Sequence, residues 1–272
     1  MKKLSLGLVC AACLTFAGCF QSSTLLKINA DGSGTIEETM LMTEAALAQF
    51  QQMAGAFGKG DAKDLNPFSE DQAKNAVKDM GEGVTFVSST PIKTAAGEGR
   101  KMIYAFKDIN RVQVNQQPTP PGGGAAAGSS MEAAPKEDLH FSLAHLPNGH
   151  ALLTITFPKP KEPVETGADK ADAGEMPQAG QMAMMQQFMA GMKIAMAVQP
   201  SGRIVHTNSQ YVQGNTVTLL EVDFDQLLKD PEAMKKLQGL KSLEASKAVL
   251  KDVPGIKVNP ASEITIEFTP GK

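Results

Sequence analysis

Methionine is the residue type most able to carry chemistry in this chain. Met182, Met184, Met185, Met189, Met192 and Met196 fall close together. Thioethers are soft ligands suited to Cu(I), so Met182, Met184, Met185 and Met189 make a candidate copper site, and a periplasmic copper-handling protein is one reading. The same stretch fits a plainer pattern. Met185, Phe188, Met189 and Met192 follow i, i+3, i+4, i+7 spacing, which is one apolar face of a helix. Methionine fills cores and also suits adaptable apolar surfaces. Phe50 and Met53 share such a face on a second helical pattern. Core packing is the preferred reading of the stripe, an apolar surface for a lipid or partner the next, and no metal is assigned.

The four histidines are His140, His145, His150 and His206. Their spacing places His145 and His150 on opposite faces of a hairpin and His140 about 17 Å along a strand from its loop. No zinc-type helix spacing accompanies them, and they read as solvated strand residues. Asp31-Gly32-Ser33-Gly34 lacks the further acids of a calcium loop and the helix N-terminus of a phosphate loop, so it reads as a hairpin turn. No Gly-x-Ser-x-Gly elbow occurs. No catalytic residue and no cofactor is expected, an envelope enzyme of unrecognised type being a further alternative.

The three cysteines, Cys10, Cys13 and Cys19, all lie at the start of the chain. Lys2 and Lys3 are followed by an uncharged, mostly apolar run from Leu4 to Ala17, which is the signal-peptide pattern and is too short for a membrane span. The run ends in Phe16-Ala17-Gly18-Cys19. This resembles the lipobox of bacterial lipoproteins, with Phe16 where leucine is commonest. The resemblance implies cleavage after Gly18, lipidation of the Cys19 thiol, and attachment of the mature chain to a membrane through its acyl chains. With Phe20 rather than Asp after the cysteine, it implies an outer-membrane position facing the periplasm more than the inner membrane.

Composition limits the alternatives. The net charge is −3 over 272 residues, and removing Lys2 and Lys3 makes the mature chain more acidic still, so neither nucleic acid nor anionic headgroups attract it. With no Trp and two Tyr it lacks an aromatic platform for bases or sugars.

The positioning elements can be laid out in order. A signal peptide over 1–18 precedes a single domain over 19–272, interrupted by Pro/Gly/Ala-rich or charged insertions at about 117–137 and 158–180 that read as flexible loops. Thr24–Ala30 and Thr35–Met42 flank the Asp31–Gly34 turn. Thr43 caps a helix toward Phe57. Ser69 with Gln72 fits a capping box for a helix ending near Met80-Gly81. Val84–Thr90 pairs with Arg100–Lys107. In the hairpin Asp138–Phe157, alternation sets Leu143 opposite Leu153 and Phe141 opposite Ile155 across a Pro147-Asn148-Gly149 loop. Gln181–Gly191 is helical in pattern. Strands over Met192–Val198, Arg203–Asn208, Asn215–Val222 and Ile264–Phe268 follow, with short helices opened by Asp230-Pro231 and Ser242. The expected class is α+β, an antiparallel sheet of hairpins with helices packed on one face.

Pro200-Ser201-Gly202-Arg203-Ile204-Val205, Asn208 and Gly214-Asn215-Thr216-Val217-Thr218, with the early turn near the cysteine, resemble the pattern of LppM-type bacterial lipoproteins. The resemblance covers about 50 residues, nearly all turn residues, with Ser201 and Leu219 departing from it. It implies an α+β envelope domain with lipid contacts and carries over no catalytic residue. The expected function is non-catalytic binding of a lipid or envelope protein.

Overall fold

The computed structural model describes residues 20–48, 68–94, 97–115, 138–158, 190–230, 232, 250 and 253–271. The first hairpin follows from alternation of apolar and polar residues about a tight turn. Strands β1 (Phe20–Ile28) and β2 (Gly34–Met42) pair antiparallel, with Leu26 opposite Ile36 and Phe20 opposite Met42. In the turn, Asp31 Oδ1 accepts from Ser33 N at 2.9 Å and from Ser33 Oγ at 2.7 Å, while Gly32 takes φ +87°. The side chain of Asp31 is thus used to close an Asx turn.

Six further strands complete the first sheet. β3 (Thr85–Thr94) and β4 (Gly97–Phe106) form the next hairpin, and β4 pairs with β2. Separated from β4 by three strands along the chain, β8 (Lys193–Pro200) lies parallel to β1, with Val198 beside Leu26. β11 (Thr216–Asp223) runs antiparallel to β8, and β10 (Val212–Gln213) and β12 (Ile256–Val258) pair with it.

The second sheet has five strands in the order β5-β6-β7-β13-β9. β5 is Gln113–Asn115, β6 Asp138–His145, β7 Ala151–Thr156, β9 Ile204–Thr207 and β13 Glu263–Phe268. In the β6–β7 hairpin Leu143 lies opposite Leu153 and Phe141 opposite Ile155, the register that alternation requires. Leu146 N donates to His150 O at 2.8 Å, closing a three-residue loop in which Gly149 has φ +80°.

These sheets correct the expected class. Leu26, Ile36, Tyr104 and Phe106 of the first sheet join Leu139, Leu153, Ile155, Ile266 and Phe268 of the second in one buried cluster. The apolar face of each sheet is therefore buried largely against the other, and the fold is mostly β rather than α+β. Alternation along a strand says which side faces inward, but not whether two hairpins join the same sheet. The sheet is also mixed, because β1 and β8 are parallel.

The helices with both ends described are short, α1 (Glu70–Ala76) and α2 (Phe224–Lys229). Ser69 stands at the N-cap of α1 without making a side-chain cap bond, so the capping box is not formed. Asp223 does cap α2, its Oδ1 accepting from Asp225 N at 3.1 Å and Gln226 N at 3.4 Å. Thr43 Oγ1 accepts from Ala46 N at 3.2 Å, opening a helical turn over 44–48. The rest of that expected helix, the insertion at 117–137, nearly all of that at 158–180, and the helix over Gln181–Gly191 except its last two residues lie outside the described residues.

Candidate functional site

One end of the first sheet gathers several chain segments. Phe20 begins β1, and its partners there are Met42 on β2 and, beyond it, Glu98 on β4. On the other side Gln21 is beside Lys193, which lies opposite Asp223. Lys193 Nζ and Asp223 Oδ2 are 2.9 Å apart. Burial pushes the Asp223 carboxyl up, and this is outweighed by its bonds to Lys193 and Gln226, so it titrates below the usual carboxylate range. Gly191 N donates to Asp225 Oδ1 at 2.6 Å and Phe224 N to Met192 O at 3.0 Å. These contacts fasten α2 to the start of β8.

Further along the same inner face, Thr24, Glu38 and Met102 stand side by side on β1, β2 and β4. A recess of about 30 Å³ is lined here by Ser22, Thr24, Asn115, Ile194, Met196 and Leu220, a volume that suits water rather than a larger ligand. Burial raises the Glu38 carboxyl to about 7, opposed by the nearby Tyr104 hydroxyl. Tyr104 is fully buried, and its ring meets that of Phe86 edge-on, with centroids 6.1 Å apart. Its phenol is held well above its ordinary value by burial first and the Glu38 charge second. Near the recess, Asp138 Oδ1 is buried with no hydrogen-bond partner among the described residues.

A wider, open cleft of about 450 Å³ lies among Ser201, Arg203, Gly214, Asn215, Thr269 and Gly271. Its polar groups are largely committed to the fold. Asn215 donates to Pro200 O, and its Oδ1 accepts from Ile204 N at 3.2 Å. Thr269 Oγ1 accepts from Arg203 N at 3.1 Å. Asn208 links neighbouring strands in the same way, donating to Glu263 O at 3.0 Å and accepting from Thr265 N at 2.9 Å. Asn259, only 1% exposed, donates to Thr218 O at 2.9 Å and accepts from Ser209 Oγ at 3.0 Å and Gln210 N at 3.2 Å. These asparagines act as struts between backbone segments.

The second sheet carries the histidines. His145 Nε2 donates to Ala30 O at 2.9 Å, tying the β6–β7 hairpin to the first turn. His150 Nδ1 is 2.7 Å from Glu267 Oε1, to which Asn148 also donates at 3.2 Å. These bonds, His150 first, hold Glu267 below the usual carboxylate range. His150 is therefore engaged rather than simply solvated. Among the described residues no group of three or more His, Cys, Asp and Glu could hold a metal ion.

No family model and no curated protein matches the chain. Among solved structures it is weakly similar to the NMR structure of the folded domain of LppM from Mycobacterium tuberculosis. That similarity has a TM-score of 0.31 and 9% identity, covering 94% of this chain and 92% of the other. The family suggested by the turn residues thus reappears as a weak similarity only, one too slight to assign the chain to it.

Of the residues expected to matter, Cys19, Phe50, Met53, Met182, Met184, Met185, Phe188 and Met189 lie outside the described residues. Met192 is described and is half-buried at the entrance to β8. Sequence reasoning passed over Glu38, although a signal was present. Ile36, Glu38, Met40 and Met42 share one side of β2, and Ile36 and Met42 are buried, so strand parity alone sets a carboxyl among apolar residues.

Proposed function

We propose that the chain is an envelope lipoprotein, anchored by lipid on Cys19, whose folded body binds a lipid or another envelope protein without catalysis. The observation that carries this reading is the basic, apolar and lipobox-like order of residues 1–19, ending at Cys19. Cleavage before Cys19 removes no residue of β1 as described, which runs from Phe20. The outer membrane, facing the periplasm, is the preferred location because Phe20 follows the cysteine. Among the described residues, Asn208, Asn215, Asn259 and Thr269 bond to main chain and His150 pairs with Glu267.

The test is native mass spectrometry of the full chain extracted from membranes in detergent, beside a Cys19→Ser variant. Co-purified lipid or a stoichiometric partner, with loss of membrane association in Cys19→Ser, is the expected result. A bare monomer whose membrane association is unchanged by Cys19→Ser contradicts the reading.

A further inference from the structure

We infer that the end of the eight-stranded sheet where β1 begins lies against the bilayer, with the far end held away from it. This rests on lipidation of Cys19 as proposed above. One residue spans at most about 3.6 Å, so a cysteine immediately before β1 leaves no tether between acyl chains and folded body. Phe20 must then sit at the level of the lipid glycerol and headgroups. Phe20, half-buried, lies opposite Met42, and half-buried Met192 precedes β8 beside it. Phe224, packed partly against the core, is bonded through its main chain to Met192.

Two ion pairs lie at this end. Lys193 is paired with Asp223 and Lys93 with Glu98, so these charges do not approach lipid singly, while exposed Glu44 near Lys93 keeps the contact at the hydrated headgroup level rather than in the acyl layer. The opposite end, at Ile28, Gly34 and Phe106, is eight strand steps away, roughly 26 Å. It carries the Asp31–Ser33 turn and exposed Lys107. The proposed contact is a phospholipid surface.

The experiment places single fluorophores on introduced cysteines in the full lipidated chain. Cys10 and Cys13 leave with the leader, and acylation blocks Cys19. Ala45→Cys and Lys93→Cys report on the near end, and Lys107→Cys on the far end. The proteins are reconstituted into phosphatidylethanolamine–phosphatidylglycerol vesicles containing a headgroup nitroxide lipid. Severalfold stronger quenching at 45 and 93 than at 107 is expected. Equal quenching, or stronger quenching at 107, in protein that is acylated and vesicle-bound overturns the orientation alone. An unmodified Cys19 with no vesicle binding overturns the anchoring and the orientation with it.

Discussion

Glu38 stands on the core side of β2 close to the hydroxyl of Tyr104, and burial holds its carboxyl near 7, above the 4.5 expected in an unfolded chain. The folded state therefore keeps a proton that the unfolded state has released. The Glu38 contribution to stability is full below about pH 4.5 and falls as pH rises toward 7 and beyond, by up to about 3 kcal/mol. Glu38→Gln should remove most of that slope and leave the protein more stable than the parent at pH 8. Urea denaturation of both proteins at pH 5 and pH 8 measures this; equal pH dependence in the two would show that Glu38 is not the source.

Glu267 has the opposite sign. Its bonds to His150 and Asn148 hold it below its ordinary range, so its stabilising effect is present above about pH 4.5 and is lost as pH falls through its lowered value in the folded protein. His150→Gln should move the Glu267 carboxyl resonance to a higher titration midpoint. Carboxyl-detected NMR reads it directly, and an unmoved midpoint would mean the 2.7 Å contact does not persist in solution.

Asn259 should be the costliest asparagine to lose. Asn259→Ala removes a buried side chain and strands the part-buried Thr218 carbonyl, Gln210 N–H and Ser209 hydroxyl together, at about 2–3 kcal/mol. Asn208→Ala breaks two bonds at an exposed site, where water replaces them, and should cost about 1 kcal/mol. Denaturant midpoints rank the two, and the reverse order would contradict the account of these residues as struts graded by burial.

What could be read from the sequence was local. Asp31 and Gly32 announce their turn, and opposed leucines and aromatics fix the 138–157 register because a slip of one residue would turn every apolar side chain outward. What could not be read was long-range. Nothing in Leu26 or Val198 says that their strands run side by side and parallel, and nothing in Phe268 says that β13 joins β7 in a separate sheet. Asn215 and Asn208 were legible as turn-associated residues, while their bonds to main chain some distance away in sequence depend on that same unread topology. Asp223 was hidden differently, placed at a strand end where its role as helix cap appears only once α2 is in view.

Lipidation of Cys19 is what would hold the folded body at a membrane, and intact-mass measurement of the mature protein recovered from membranes tests it most directly. The expected species begins at Cys19 and is heavier than its amino acids by a diacylglyceryl group, with or without an acyl chain on the new amino terminus. A species that begins at another residue, or that has the mass of the bare polypeptide, would contradict it.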